Sequence, residues 1–168
     1  MRIILSIVPL AVFSLVLTSC KISYSFSGAN TGTLKTVSVD YFQNRAALAP
    51  PTLSQYFTEQ LKDLFERQTN LDLVNGNGDA HFEGEITGYS TRPMAISGAE
   101  QAELTRFTIA IRVRYTNAKD DKLSFEETFS QYRDYESKQS FESVQAELTD
   151  QIIEDITGDI FNRAFVNW

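Results

Sequence analysis

Cys20, His81, the Glu83/Glu85 pair, the run Asn75-x-Asn77-x-Asp79 and the arginines Arg106, Arg112 and Arg114 are the residues whose types and spacing bear on chemistry. Cys20 is the sole cysteine and His81 the sole histidine. That excludes a disulfide framework, a multi-cysteine zinc site and any metal site built on two or three imidazoles. No serine or cysteine nucleophile stands at a signature spacing from His81, which reads as a surface or edge histidine at a strand start. Glu83 and Glu85 share one face of an extended segment. A two-carboxylate hydrolase needs such a pair in a cleft with one pKa raised; the sequence supplies no cleft, and the pair reads as solvated acids. Asn75-x-Asn77-x-Asp79 is similar to the start of a calcium loop. Such a loop needs glycine and glutamate further on, where this chain has Ala80 and Ile86, so a tight turn is the better reading. No catalytic residue, metal site or cofactor is expected.

The arginines hold more interest, because they project from one face of the most regular strand pattern in the chain. Guanidiniums grouped on a sheet face can hold lipid phosphate through bidentate hydrogen bonds. They can equally pair with acids on a neighbouring strand. If Tyr115 faces Leu123 across the turn, Arg112 falls opposite Glu126 and Ala110 opposite Thr128. Both readings stand at this point.

The elements that must position these residues follow from composition and periodicity. The chain has 168 residues, 22 acids against 15 bases, a formal charge of −7 and 42% hydrophobic residues. The apolar content suffices for a core, while the acidity makes the chain a poor general binder of nucleic acid. Arg2 precedes an apolar run from Ile3 to Leu17 that ends in Leu17-Thr18-Ser19-Cys20. A basic start, a short apolar stretch and small residues before the cut describe a secretory signal peptide. The Leu-Thr-Ser-Cys sequence resembles a bacterial lipobox, whose cysteine is lipidated. The expected organisation is a lipoprotein signal peptide over 1–19, a lipid-anchored N-terminal segment over 20–33 and a single α/β domain over 34–168. The expected address is the periplasmic face of an outer membrane.

Within the domain, Val37, Val39 and Tyr41 alternate with Thr36, Ser38 and Asp40 as in a strand. After Pro50-Pro51, a capping box at Thr52-Leu53-Ser54-Gln55 opens a helix of about 17 residues with Leu53, Phe57, Leu61, Leu64 and Phe65 on one stripe. Leu71–Val74 reads as a short strand and Phe82–Tyr89 as a longer one, where Gly84 and Gly88 mark a bulge or a close backbone approach. Residues 92–104 read as a strand extension and then a mobile loop. Phe107, Ile109, Ile111, Val113 and Tyr115 alternate with polar residues, and Leu123, Phe125 and Phe129 begin the return strand. Ser140 caps a final helix of about 25 residues carrying Phe141, Val144, Leu148, Ile152, Ile156 and Ile160, with Gly158 as a possible bend. Ile111 and Ile156 should be fully buried. Trp168 either docks that helix or anchors at a partner or headgroup surface. The fold class expected is α+β: a two-layer roll with a sheet of about four mostly antiparallel strands, two helices on one face and the order β-α-β-β-β-α.

Several stretches resemble the LptE family of lipopolysaccharide-assembly lipoproteins. They are Tyr24-Ser25-Phe26-Ser27-Gly28, Val39-Asp40-Tyr41-Phe42-Gln43-Asn44-Arg45-Ala46, Leu53-Ser54-Gln55-Tyr56-Phe57-Thr58-Glu59, Phe82-Glu83-Gly84-Glu85-Ile86-Thr87-Gly88-Tyr89 and Asp159-Ile160-Phe161-Asn162-Arg163-Ala164-Phe165. The resemblance implies a two-helix, four-stranded roll at the inner leaflet of the outer membrane. It also implies residence as a plug inside a large β-barrel of the LptD type, aiding lipopolysaccharide delivery. The lipopolysaccharide-contacting basic residues of the enteric family are not carried over, so Arg106, Arg112 and Arg114 as phosphate ligands rest on the strand pattern alone. A different class, a free-standing periplasmic module binding lipid or glycan, is the alternative.

If Cys20 carries the anchor, Cys20→Ala should move the protein from the membrane to the soluble fraction, unless a partner retains it. Mass spectrometry of the N-terminal peptide checks this directly: a peptide without added acyl mass rejects lipidation.

Overall fold

A computed structural model describes residues 29–94 and 103–166. Cys20, Trp168 and the centre of the 92–104 segment lie outside the described residues. The elements are β1 (Thr36–Val39), β2 (Gln43–Asn44), α1 (Thr52–Gln68), β3 (Asp72–Leu73), β4 (Ala80–Pro93), β5 (Leu104–Asn117), a 3-10 turn (Asp121–Leu123), β6 (Phe125–Glu136) and α2 (Phe141–Phe165). All six strands join one sheet in the order β3-β1-β4-β5-β6, with β2 also on β4.

The two-layer α+β class and both helix lengths match expectation, but the sheet is six-stranded and mixed. β4, β5 and β6 form an antiparallel meander. β1 runs parallel to β3 and β4, and β2 runs parallel to β4. Parallel neighbours need a crossover connection, and α1 supplies it between β1 and β3. β3, expected over Leu71–Val74, is the pair Asp72–Leu73, and β2, not expected, has two residues as well, too few for a period-two pattern to register.

Alternation along β5 builds the core. Phe107, Ile109, Ile111, Val113 and Tyr115 are at most 1% exposed, while Arg112, Arg114 and Thr116 between and beyond them are exposed. The helices seal that apolar side with Leu53, Phe57, Leu61 and Phe65 of α1 and Leu148, Ile152, Ile156, Ile160, Phe161 and Phe165 of α2. Ile111 and Ile156 are both fully buried. Each such side chain contributes about 1.5–3 kcal/mol relative to exposure. An aromatic cluster ties the layers together: Phe65 lies 4.6 Å from Phe82 and 5.6 Å from Phe165, and Phe82 stacks on Tyr115 at 4.7 Å.

The two strand glycines act differently. A Cβ on Gly84 would sit 2.1 Å from the Arg112 carbonyl oxygen and 2.6 Å from the Phe42 ring, so Gly84 permits a close approach. Near Gly88 the register to β5 shifts after Ile86, a bulge that leaves Thr87 unpaired. The bulge moves the core-facing positions of β4 from Phe82 and Ile86 to Tyr89.

Neither expected cap forms. Pro51 occupies the N-cap of α1 without a side-chain bond; the chain is already turned by the proline pair, and the Leu53 N–H reaches the Pro50 carbonyl at 3.0 Å. Ser140 holds the N-cap position of α2, but its hydroxyl caps nothing. Its carbonyl instead accepts from the Ser143 N–H at 3.1 Å and the Ser143 hydroxyl at 2.7 Å.

Two glycine substitutions should have opposite signs in urea unfolding. Gly84→Ala forces backbone against a side chain and should cost about 1–3 kcal/mol or more. Gly158→Ala, inside α2 with open space around an added Cβ, should gain about 0.5–1 kcal/mol. A loss at Gly158 or no change at Gly84 would contradict this packing.

Candidate functional site on the uncovered sheet face

The sheet face opposite the helices carries a lattice of alternating charge. β4 places Glu83 and Glu85 on it, β5 places Arg106, Arg112 and Arg114, and β6 places Glu126 and Asp134. Arg114 bonds Glu83 through Nη1 at 3.1 Å and Glu126 through Nε at 3.0 Å. Arg112 donates to Glu85 and lies 4.0 Å from Glu126. Arg45, just after β2, reaches the other oxygen of Glu85 at 3.5 Å. Arg106 grips Asp134 with two bonds of 2.8 Å and stacks 3.6 Å over the Tyr132 ring. Glu83, Gly84, Glu85, Arg112, Arg114 and Glu126 together line a shallow depression.

The cross-strand pairing expected for the arginines exists, in a different register. Tyr115 faces Phe125 rather than Leu123, so Arg114 stands opposite Glu126, Arg112 opposite Thr128 and Ala110 opposite Ser130. The cause is the 3-10 turn, in which the Asp120 carboxylate accepts from the Lys122 N–H at 3.1 Å and takes Leu123 out of the strand. Glu83 and Glu85 do share this face, each held by an arginine of β5. The Asp79 carboxylate accepts from Lys119 Nζ at 2.8 Å and the Lys35 N–H at 2.9 Å. Lys119, then Lys35, hold it below the usual carboxylate range. Ser38 and His81 stand 2.8 Å apart, but Ser38 is 1% exposed and its hydroxyl is not presented to a substrate.

Sequence reasoning missed Asp134, Arg45 and Asp40. Asp134 was hidden because β6 continues past Phe129 with Gln131 and Arg133 on the helix side, where an apolar period would have revealed it. Those residues bond α2 instead: Gln131 donates to Asp159 at 2.6 Å, and Arg133 bonds Gln151 at 3.0 Å and Asp155. On the outer side of the helix pair, Tyr56, Gln60, Leu64, Asp150 and Glu154 border a polar groove of about 380 Å³. Burial, and next the hydrogen bond to Asp150, push the Tyr56 hydroxyl up to about 12.

The Arg106–Asp134 pair has a pH signature. The Arg106 guanidinium holds the Asp134 carboxyl below its ordinary range. A depressed folded pKa adds stability above the unfolded value of about 3.9 and loses it as pH falls through the folded one. Asp134→Asn should therefore flatten the acid limb of a urea-unfolding profile below about pH 4, while costing no more than about 1 kcal/mol at neutrality because the pair is partly solvated. An unchanged acid limb would show that the pair contributes nothing.

Among the described residues, no helix is long and apolar enough to cross a membrane. A comparison with curated proteins finds no match. Solved structures show the same fold at low identity. A minor lipoprotein from Acinetobacter baumannii is 14% identical at a TM-score of 0.51, covering 77% of this chain and 91% of its own. A hypothetical protein from Chlamydia trachomatis is 11% identical at 0.53, covering 80% and 99%. A protein of the DUF330 family from Xanthomonas campestris is 11% identical at 0.56, covering 79% and 84%. The family model described as LptE, lipopolysaccharide-assembly, matches residues 34–164, from just before β1 to the last turn of α2. With the match spanning both helices and all six strands, the chain belongs to the LptE lipopolysaccharide-assembly family.

Proposed function

We propose that this protein is a non-enzymatic outer-membrane lipoprotein, held by Cys20 at the periplasmic face, that complexes with a β-barrel of the LptD type as plug and assembly factor for lipopolysaccharide transport. Family membership supports lipopolysaccharide assembly. The observation that carries the finer reading is the two-sidedness of the sheet. One side is sealed by both helices; the other is covered by no element among the described residues and is laced with paired charges across β4, β5 and β6. The inside of a large membrane barrel is polar. A plug must meet that wall with hydrated, internally satisfied polar groups, because an unpaired charge left there would be costly. Affinity purification from detergent-solubilised membranes should return a one-to-one complex with a barrel protein. A monomer that retains only lipid would favour the free-standing binding module.

Arg106, Arg112 and Arg114 are the residues through which this face would hold lipid phosphate. Each already bonds a carboxylate, so phosphate must displace Asp134, Glu85 or Glu126, and the net gain is small. Changing all three to glutamine should weaken lipopolysaccharide binding by about 1.5–3 kcal/mol in total, less at high salt, with the barrel complex preserved. If lipid binding is unchanged, if only stability falls, and if exchanging Arg114 and Glu126 restores it, the arginines serve the ladder and the partner contact alone.

A further inference from the structure

We propose that Asp40, His81 and Glu83 form a binding site for one divalent cation of the zinc class. Asp40 follows β1 and the other two lie on β4, and the parallel β1–β4 register sets Ser38 beside His81 and Val39 beside Phe82. One ligand atom from each of the three lies within 4.8 Å of the others, and His81 Nε2 is 3.7 Å from Asp40 Oδ2. Around a four-coordinate zinc with bonds of about 2.1 Å, neighbouring ligand atoms stand roughly 3.4 Å apart. Side-chain torsions close the difference. A histidine with two carboxylates suits zinc and its neighbours better than calcium, which takes six or more oxygens, and three protein ligands leave a position for water or another oxygen donor.

Three further features mark this as more than a group of acids. The imidazole is oriented from behind: Nδ1 lies 2.8 Å from Ser38 Oγ, which also accepts the Gly78 N–H at 2.8 Å. When that hydroxyl accepts from Nδ1–H as well, Nε2 is left bare and facing the Asp40 carboxylate; a donated second ring N–H is the outer-shell arrangement common to metal-binding histidines. Glu83 is itself braced by Arg114, which bonds one of its oxygens and leaves the second for a cation. Charge balance points the same way. At this end of the face Asp40, Glu83, Glu85 and Glu126 stand against Arg45, Arg112 and Arg114. The excess negative charge sits at Asp40, whose side chain meets no lysine or arginine among the described residues.

The test is titration of the full-length protein, purified in detergent and stripped with a chelator, with zinc chloride. One zinc should bind per chain, with a chelator-reversible rise in Tm. Cobalt in place of zinc should give an intense visible absorption of low-coordinate type. Asp40→Asn and His81→Gln should each weaken binding at least tenfold, and Asp150→Asn, between the helices, should leave it unchanged. Asp40 is 55% exposed, so its variant keeps the fold, checked by the metal-free Tm. No binding at about 0.1 mM free zinc, or full affinity in Asp40→Asn, overturns the proposal.

Discussion

Successive side chains of a strand point to opposite faces, and along β5 that constraint is obeyed for its whole length. Everything else depends on it. Five apolar residues from Phe107 to Tyr115 line one face and are shut away from water. The arginines interleaved with them can only face outward. Had the alternation slipped by a single position, the guanidiniums would lie beneath the helices, unpaired and desolvated. The bulge at Thr87 lets β4 keep company with β5 while its own sequence changes phase: Ile86 meets Ile111, and Tyr89 meets Ile109. The aromatic cluster of Phe65, Phe82, Tyr115 and Phe165 then joins the layers, linking α1, β4, β5 and α2 through ring contacts.

Long, regular elements were legible in the sequence because hydrophobic burial imposes a period and a long segment repeats it many times. The stripes of α1 and α2 and the alternation of β5 are of this kind, and the helix bounds Thr52–Gln68 and Phe141–Phe165 have the expected lengths. The bulge near Gly88 and the close approach at Gly84 were legible because glycine inside a strand has few other uses. Short elements were legible only in part: β3 showed as Leu71–Val74, but β2 did not. β2 owes its existence to pairing with Glu85 and Ile86, a contact from a distant part of the chain. The far half of β6 faces the helix layer with Gln131 and Arg133, which bond α2 rather than fill a core.

The charged face was half legible. That the arginines share a face follows from alternation alone, but their partners depend on register. Register in turn depends on how many residues the turn consumes. The 3-10 turn at Asp121–Leu123 consumes more than a tight hairpin would, which gives Glu126 to Arg114 and leaves Arg112 to share Glu85 with Arg45. The neighbourhood of Asp40, His81 and Glu83 was illegible for a different reason. Its first member stands just after another strand, and only the parallel pairing of β1 with β4 brings it near.

The ends of the sheet differ in kind. Among the described residues β6 is the last strand on its side, so one row of its backbone groups has no sheet partner there. Twelve residues long, it is a surface on which another extended chain could assemble. Its side chains work against that. Glu126, Glu127, Asp134 and Glu136 line it against the single base Arg133, and each of the four acids is met by a cation from elsewhere in the chain: Arg114, Arg163, Arg106 and Lys138. Two copies brought edge to edge would have to crowd or desolvate these ion pairs. At the opposite end, β3 offers two residues, too short a template to propagate. Edge-to-edge growth of the sheet is thus opposed by charged, ion-paired side chains on one flank and by brevity on the other.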